Sequence, residues 1–126
     1  MCGIVGGITN SNITPLLLDG LNRLEYRGYD SSGIVLLTKN NKLARKRAVG
    51  KVINLEKKIK LKKNKIEGVI GLAHTRWATH GKPSDKNAHP HISNNSLSLV
   101  HNGIIENFSE LKELQIEQGY EFTSET

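Results

Sequence analysis

The sequence lacks the features of several protein classes. Cys2 is its only cysteine, which excludes an intrachain disulfide. No apolar run approaches the roughly 20 residues that a membrane span requires. The N-terminus has no basic region followed by an apolar core, so it does not resemble a secretory signal. With 126 residues, enough for one domain, the sequence predicts a soluble, cytoplasmic protein without a membrane partner.

Positive charge is in excess, and much of it lies in one segment. The formal net charge is +6, and residues 51–65 read KVINLEKKIKLKKNK. Val52, Leu55 and Ile59 recur there at helical spacing, which predicts an amphipathic helix with a solvated basic face. Because no aromatic residue is interleaved to stack on bases, we favour this interpretation over a nucleic-acid-binding surface.

The hydrophobic pattern predicts a mixed α and β chain. Thr14 is the expected cap of the first helix, with Pro15 at its first position and Gly28 as the stop. Asn107 and Glu110 have the spacing of a capping box. The predicted strands cover residues 2–8, 33–37, 43–49, 68–75 and 96–101, and the predicted helices cover residues 15–26, 51–65 and 107–119.

Cys2 is a candidate nucleophile because it follows the initiator Met1. Removal of Met1 would free the α-amine of Cys2, and α-amines titrate near about 7.7 to 8.0. That amine can then act as the general base for the thiol of the same residue, with no separate histidine. Gly3 leaves space for a substrate carbonyl to approach. The alternative is an inert, buried cysteine.

Five segments in order, MCGIVG, LEYRGYDSSG, HTRWATHG, NAHPH and HNGIIEN, carry a resemblance to a known family. The chain resembles the N-terminal glutaminase domain of glucosamine-6-phosphate synthases (glutamine:fructose-6-phosphate amidotransferases). These are class II amidotransferases of the N-terminal-nucleophile hydrolase fold. The resemblance covers residues 1–126 and is loose between about residues 40 and 68. It implies an α+β fold, as a partial four-layer αββα sandwich.

The resemblance assigns catalytic roles to four residues besides Cys2. Asn102 and Gly103 correspond to an oxyanion hole, in which an amide side chain and a backbone N–H face the developing negative oxygen. An ordinary strand-to-loop turn is the alternative for this Asn-Gly pair. Arg27 and Gly28 lie in the YRGYD segment, where we expect a role in orienting the nucleophile.

The HTRWATHG segment supplies the predicted substrate-binding residues. Arg76 corresponds to the arginine that holds the α-carboxylate of glutamine, and a guanidinium can grip a carboxylate with two hydrogen bonds. A surface ion pair is the alternative. The resemblance places Trp77, Thr79, His80 and Gly81 in a loop that closes over glutamine. For Trp77, the only tryptophan, the alternative is a place in the core.

Five histidines, at positions 74, 80, 89, 91 and 101, raise the question of a metal site. Their spacing matches no familiar zinc pattern, and the one cysteine is reserved for the terminus. We therefore expect no metal and no cofactor. Hydrogen bonding that braces the loop and strand ends is the favoured role.

The implied reaction is attack of Cys2 on the side-chain amide of L-glutamine, giving ammonia and a γ-glutamyl thioester that is hydrolysed to glutamate. In the family, sugar-isomerase domains bind fructose 6-phosphate and receive the ammonia, and the full-length enzyme is expected to be a homodimer. The family also has an aspartate directly after the position of Thr126 that binds the amine of glutamine. We expect that this chain is a partial amidotransferase domain, residues 1–126, with little activity alone. The alternatives are another class II amidotransferase and an inactive remnant serving as a basic binding module.

Overall fold

The computed structural model describes residues 1–79 and 81–125. It contains six strands and three α-helices, with short 3₁₀ turns at Glu25–Arg27 and Lys62–Asn64. The strands are β1 (Gly3–Ile8), β2 (Ser31–Leu37), β3 (Leu43–Val49), β4 (Ile70–Arg76), β5 (His91–Ser93) and β6 (Leu97–Leu99); the helices are α1 (Thr14–Leu24), α2 (Val52–Lys60) and α3 (Phe108–Glu117). The predicted α+β class is confirmed.

Four strands form one antiparallel sheet in the order β1-β4-β2-β3. The hairpin between β2 and β3 turns where the sequence predicts it, and Asn41 adopts a positive φ of 55° there. In β1 and β4, Gly3 pairs with Thr75 and Ile4 pairs with His74. Continuing this register places Cys2 opposite Arg76, so the predicted nucleophile directly precedes β1 and the predicted carboxylate clamp ends the neighbouring β4.

One face of the sheet is covered by α1 and α2, and the hydrophobic core lies between them. Leu17 and Leu21 of α1 are fully buried, as is Leu55 of α2. They pack in one cluster with residues of β2 and β4, among them Ile34 and Ala73. The amphipathic pattern of the basic segment is confirmed, although its helix ends at Lys60.

Two of the predicted helix caps are wrong. Thr14 is the first residue of α1, and the side-chain oxygen of Asn12 accepts hydrogen bonds from its N–H at 3.2 Å and its hydroxyl at 2.9 Å. Asn107 precedes α3 as predicted, but its side chain makes no capping hydrogen bond. The first helix also ends at Leu24, and Gly28 instead follows the 3₁₀ turn. Caps depend on the path of the flanking chain, which periodicity does not report.

The opposite face of the sheet receives the loop that follows β4. Arg45 donates to the carbonyl of Pro90 at 3.2 Å, and Arg47 donates to that of Ala88 at 2.9 Å. The loop leads into the small β5-β6 sheet, of which the sequence predicted only the second strand, at greater length. Within the described residues, the expected sandwich is thus represented by one helical layer, one sheet and this hairpin.

Helix α3 lies apart from the core, since none of its residues is buried. No helix among the described residues has the length and apolar character needed to cross a bilayer.

Candidate active site

Cys2 lies directly before β1 and contacts the residue that follows β4. Its sulfur accepts a hydrogen bond from the backbone N–H of Trp77 at 3.3 Å, and the thiol is half-buried. With Met1 in place, the terminal amine belongs to Met1 and donates to the carbonyl of Arg27. The carbonyl of Arg27 thus lies beside the start of the chain, and the role of Arg27 in orienting Cys2 stays a prediction.

Gly28 and Trp77 fit together in a way that requires glycine. Gly28 has a φ of +130°, in a region that side chains rarely adopt, and a Cβ atom there would lie 2.2 Å from Cε3 of the Trp77 ring. Trp77 itself is 54% exposed, so its alternative assignment to the core is wrong. The indole therefore covers the Arg27-Gly28 turn beside Cys2.

Arg76 ends β4 with a guanidinium that is almost fully buried, since only 6% of its side chain is exposed. Its Nη1 lies 3.6 Å from the Oδ1 of Asp30, and it donates to the carbonyls of Gly81 and Lys82 at 3.3 and 3.4 Å. The alternative of a surface ion pair is wrong, because the pair is buried. Arg76 thus links the loop after β4 to Asp30, the residue directly before β2.

Asp30 is a site residue that the sequence analysis missed. Its carboxylate accepts hydrogen bonds from the hydroxyl of Ser31 at 2.7 Å and from the backbone N–H of Ala78. Its own N–H donates to the carbonyl of Arg76 at 2.8 Å. The signal was its place at the end of the YRGYD segment, although its partners lie far away along the chain.

A cavity of about 430 Å³ opens beside this ion pair. Three predicted substrate-binding residues, Trp77, Thr79 and Gly81, form part of its wall, together with Tyr29, Asp30, Ala78 and Pro83. Cys2 adjoins this wall through its contact with Trp77. His80, also predicted to bind substrate, lies outside the described residues.

Asn102 is exposed, and its side chain is anchored to the sheet by a histidine. Its Oδ1 lies 2.6 Å from the Nε2 of His74, which is fully buried in β4. Because side chains alternate along a strand, His74 and Arg76 share the face to which Cys2 belongs. Gly103 follows beside the ring of His101, whose Nε2 would lie 2.8 Å from an added Cβ.

Three histidines form a stacked cluster under this region. The ring centroids of His74 and His89 are 4.2 Å apart, and those of His89 and His91 are 4.5 Å apart. Burial lowers the pKa of all three, to about 3 for His89 and about 4 for His91, with further lowering by neighbouring cationic groups. The cluster is therefore uncharged at neutral pH. Among the described residues, no group of His, Cys, Asp or Glu is arranged to hold a metal ion.

Comparison with curated proteins finds close relatives along the whole chain. The glutamine–fructose-6-phosphate aminotransferases (isomerizing) of Pseudomonas putida, Mesorhizobium japonicum and Acinetobacter baylyi are 55%, 54% and 56% identical to it over 126 residues. By sequence, this chain is similar to the N-terminal region of those enzymes. It spans about one fifth of their length, 20% in each case. No family model matches the chain.

Solved structures give the same answer for the fold. The chain matches a glutamine phosphoribosylpyrophosphate amidotransferase from B. subtilis with a TM-score of 0.71 and 29% identity, over 99% of this chain and 26% of the other. It matches the allosteric regulatory enzyme of purine biosynthesis with a TM-score of 0.76 and 30% identity, over 97% and 27%. The predicted N-terminal-nucleophile amidotransferase fold is confirmed.

Proposed function

We propose that this chain carries the glutamine-hydrolysing centre of a glutamine–fructose-6-phosphate aminotransferase, with Cys2 as its nucleophile once Met1 is removed. The observation that carries the proposal is the placement of Cys2 at the start of β1. There it contacts Trp77 and lies across from the buried Arg76. It also shares a face of the sheet with His74, whose ring contacts the side chain of Asn102. Residues from three separate sequence segments thus converge on one end of the sheet.

In this proposal, the α-amine of Cys2 takes the proton of the thiol as sulfur bonds to the amide carbon of glutamine. The C=O pair moves onto oxygen, where the Nδ2 of Asn102 and the N–H of Gly103 stabilise the negative charge. When the carbonyl re-forms, the C–N bond breaks, and the amine returns its proton to the leaving ammonia. Water then attacks the γ-glutamyl thioester, which yields glutamate and the free thiol.

Arg76 is proposed to hold the α-carboxylate of glutamine, with the cavity beside it receiving the substrate. The guanidinium is held by Asp30, which lines the cavity, and by the carbonyls of Gly81 and Lys82. Those partners fix its plane, and a fixed guanidinium plane favours a carboxylate over a point-like anion. Asp30 also balances the charge of Arg76 when no carboxylate is bound, which limits the cost of burying it.

Fructose 6-phosphate is the proposed acceptor of the ammonia, and a cytoplasmic homodimer is the proposed form of the whole enzyme. The name of the curated relatives supports this acceptor. Another class II amidotransferase is the second candidate, since the matched solved structures include a phosphoribosylpyrophosphate enzyme. The higher identity, 55% against 29%, favours the sugar enzyme.

The basic binding module is less well supported, because Lys58 and Asn64 of the segment are hydrogen-bonded to other parts of the fold. Lys58 donates to the carbonyl of Arg47 at 2.7 Å and to the carboxylate of Asp85 at 2.9 Å. Lys46 likewise donates to Asn64 at 3.1 Å.

The test is a pair of assays on the protein expressed from the complete reading frame that encodes this chain. We expect glutamine to be converted to glutamate and ammonia, and fructose 6-phosphate to be converted to glucosamine 6-phosphate when glutamine is supplied. Cys2→Ala should abolish both, with exogenous ammonia restoring the second if the acceptor site is intact. Glutamine hydrolysis by Cys2→Ala at the unmodified rate would contradict the proposal. Hydrolysis of glutamine without any amino-sugar product would support the glutaminase activity but would contradict fructose 6-phosphate as the acceptor.

A further inference from the structure

The orientation of the Asn102 amide is the starting point, since the two ends of that group have opposite chemistry. The NH₂ end can donate a hydrogen bond to an oxyanion, whereas the carbonyl end would repel it. The backbone places Asn102 after β6 but leaves its side chain exposed. Rotation of an exposed amide would therefore present the wrong end for part of the time, unless a partner holds it.

His74 is such a partner. Its ring is 0% exposed and is locked against His89, and its Nε2 lies 2.6 Å from the Oδ1 of Asn102. The ring is neutral, because burial lowers its pKa, so it carries one N–H.

The position of the proton follows from the other ring nitrogen. Nδ1 of His74 is buried and has no hydrogen-bond partner among the described residues. A buried N–H without a partner is rarer in proteins than a buried acceptor without one. The proton therefore belongs on Nε2, where it is donated to Oδ1 of Asn102. This directs the Nδ2 of Asn102 away from the sheet, as a donor.

We infer that His74 is a positioning residue for glutamine hydrolysis: through its hydrogen bond to Oδ1 it holds the amide of Asn102 with the NH₂ group toward the oxyanion. The inference rests on the proposed function. It places His74 outside the reacting atoms, since it acts on the substrate only through Asn102.

The experiment is a double-mutant cycle on the protein from the complete reading frame, with glutamine hydrolysis measured as kcat and KM. Loss of one oxyanion donor typically lowers kcat about a hundred- to a thousandfold. We expect His74→Leu to lower kcat by roughly ten- to a hundredfold, with KM changed less than about threefold, because the donor remains but is no longer oriented. In an Asn102→Ala background, His74→Leu should add almost nothing. His74→Gln, which keeps an N–H near the position of Nε2, should recover most of the rate.

A matched control separates positioning from packing. His91 belongs to the same stacked cluster but does not contact Asn102, so His91→Leu should leave kcat near that of the unmodified protein. Thermal midpoints of both leucine variants show how far each disturbs the fold. The inference would be overturned by additive losses in the cycle, by an equal loss of kcat in His91→Leu, or by no recovery of the rate in His74→Gln. Each of these results would leave the proposed function standing. Absence of glutamine hydrolysis in the unmodified protein would overturn the proposed function together with the inference.

Discussion

The backbone angle of Gly28 affects how Trp77 packs beside Cys2. Alanine at this position would meet the indole of Trp77 at 2.2 Å and would keep a φ of +130° only at a cost of about 1 to 3 kcal/mol. We expect Gly28→Ala to displace Trp77 and to slow the reaction of Cys2 with a glutamine analogue by at least about tenfold, since misplacement of about 1 Å costs up to a hundredfold.

Gly119 is the control for this substitution. It also has a positive φ, +89°, but an added Cβ would have no atom within 4 Å. Gly119→Ala therefore carries backbone strain without the clash, and its rate of Cys2 labelling should stay close to that of the unmodified protein. Equal loss in both variants would show that the Trp77 contact does not matter.

Arg76 gives a second prediction at the scale of one residue. Arg76→Lys keeps the charge but cannot hold a carboxylate and the carbonyls of Gly81 and Lys82 at the same time. One lost hydrogen bond to a charged group costs about 1.5 to 3 kcal/mol, so we expect the KM for glutamine to rise roughly ten- to a hundredfold. Steady-state kinetics measure this, and an unchanged KM would remove Arg76 from the substrate site.

Single residues were predictable from sequence where a segment carries its own signature. Cys2, Gly28 and Trp77 were predicted to lie near one another because each belongs to a segment that can be recognised by itself. Asp30 and His74 were missed as site residues because their importance comes from partners elsewhere. The N–H of Ala78 lies 48 residues from Asp30, and Asn102 lies 28 residues from His74. Only the folded sheet brings these partners together.

At the scale of elements, helix α2 depends on a cap from a distant segment. Its preceding residue, Lys51, makes no side-chain capping bond, and the carboxylate of Glu25 instead accepts from the N–H of Val52 at 2.6 Å. A carboxylate there also offsets the positive end of the helix dipole. We expect Glu25→Ala to lower the free energy of unfolding by about 1.5 to 3 kcal/mol, as for a hydrogen bond to a charged group.

Glu25→Gln is the matched variant for that cap, because it keeps an acceptor oxygen and loses the charge. The loss in the free energy of unfolding, measured with denaturant, should be smaller for Glu25→Gln than for Glu25→Ala. Asp19 supplies a surface comparison, since its ion pair with Arg23 is exposed and Asp19→Ala should cost little. If Asp19→Ala and Glu25→Ala had equal effects, the capping role would be wrong.

The loop between β4 and β5 should make stability depend on pH. Burial holds the pKa of His89 at about 3 and that of His91 at about 4, below the ordinary value of 6.5. In the unfolded chain both histidines have a pKa near the ordinary value of 6.5, so unfolding takes up protons at any pH below about 6.5. Stability therefore falls as the pH falls from about 6.5 toward 4. Above about pH 7 both are neutral in either state, and this contribution is flat.

Denaturant midpoints between pH 7.5 and 5 measure this effect before most carboxylates titrate. We expect His91→Phe to reduce the slope of stability against pH, whatever it does to the absolute stability. A slope unchanged by the substitution would contradict the lowered pKa of His91.

Elements with strong periodicity were predicted well, and elements defined by contacts were not. The apolar positions of α2 follow from spacing, because burial on one face forces a period on the sequence, whereas β1 and β4 follow from apolar runs of strand length and the β2-β3 hairpin follows from its turn residues. The short β5 has only three residues, too few for a period, and it forms because β6 lies opposite. The caps of α1 and α2 come from Asn12 and Glu25, whose positions are set by the tertiary fold.

At the scale of the whole molecule, one face of the sheet and helix α3 expose apolar side chains. Ile4, Ile8 and Ile70 lie on the face opposite the core helices and are 42%, 77% and 38% exposed, and Leu114 of α3 is 51% exposed. Apolar patches of this kind mark surfaces that bind other chains or associate with one another. We therefore predict that the 126-residue polypeptide, expressed by itself, self-associates.

Light scattering on that polypeptide measures the association, and two lysine substitutions locate its surface. Ile8→Lys places a charge on the exposed sheet face and should reduce association. Ile53→Lys places the same charge on α2, where the native side chain is 43% exposed, and should leave association unchanged. A monomeric polypeptide, or equal effects of both substitutions, would show that the sheet face is not the interacting surface.

In the proposed mechanism, Cys2 attacks glutamine with its own amine as the base. The most direct measurement is peptide mass mapping after treatment with a glutamine analogue that carries an electrophilic γ-carbon, on protein with and without Met1. We expect stoichiometric labelling of Cys2 in protein whose Met1 has been removed, protection by excess glutamine, and little labelling where Met1 remains. Equal labelling with Met1 retained, or labelling that glutamine does not prevent, would contradict the proposed mechanism.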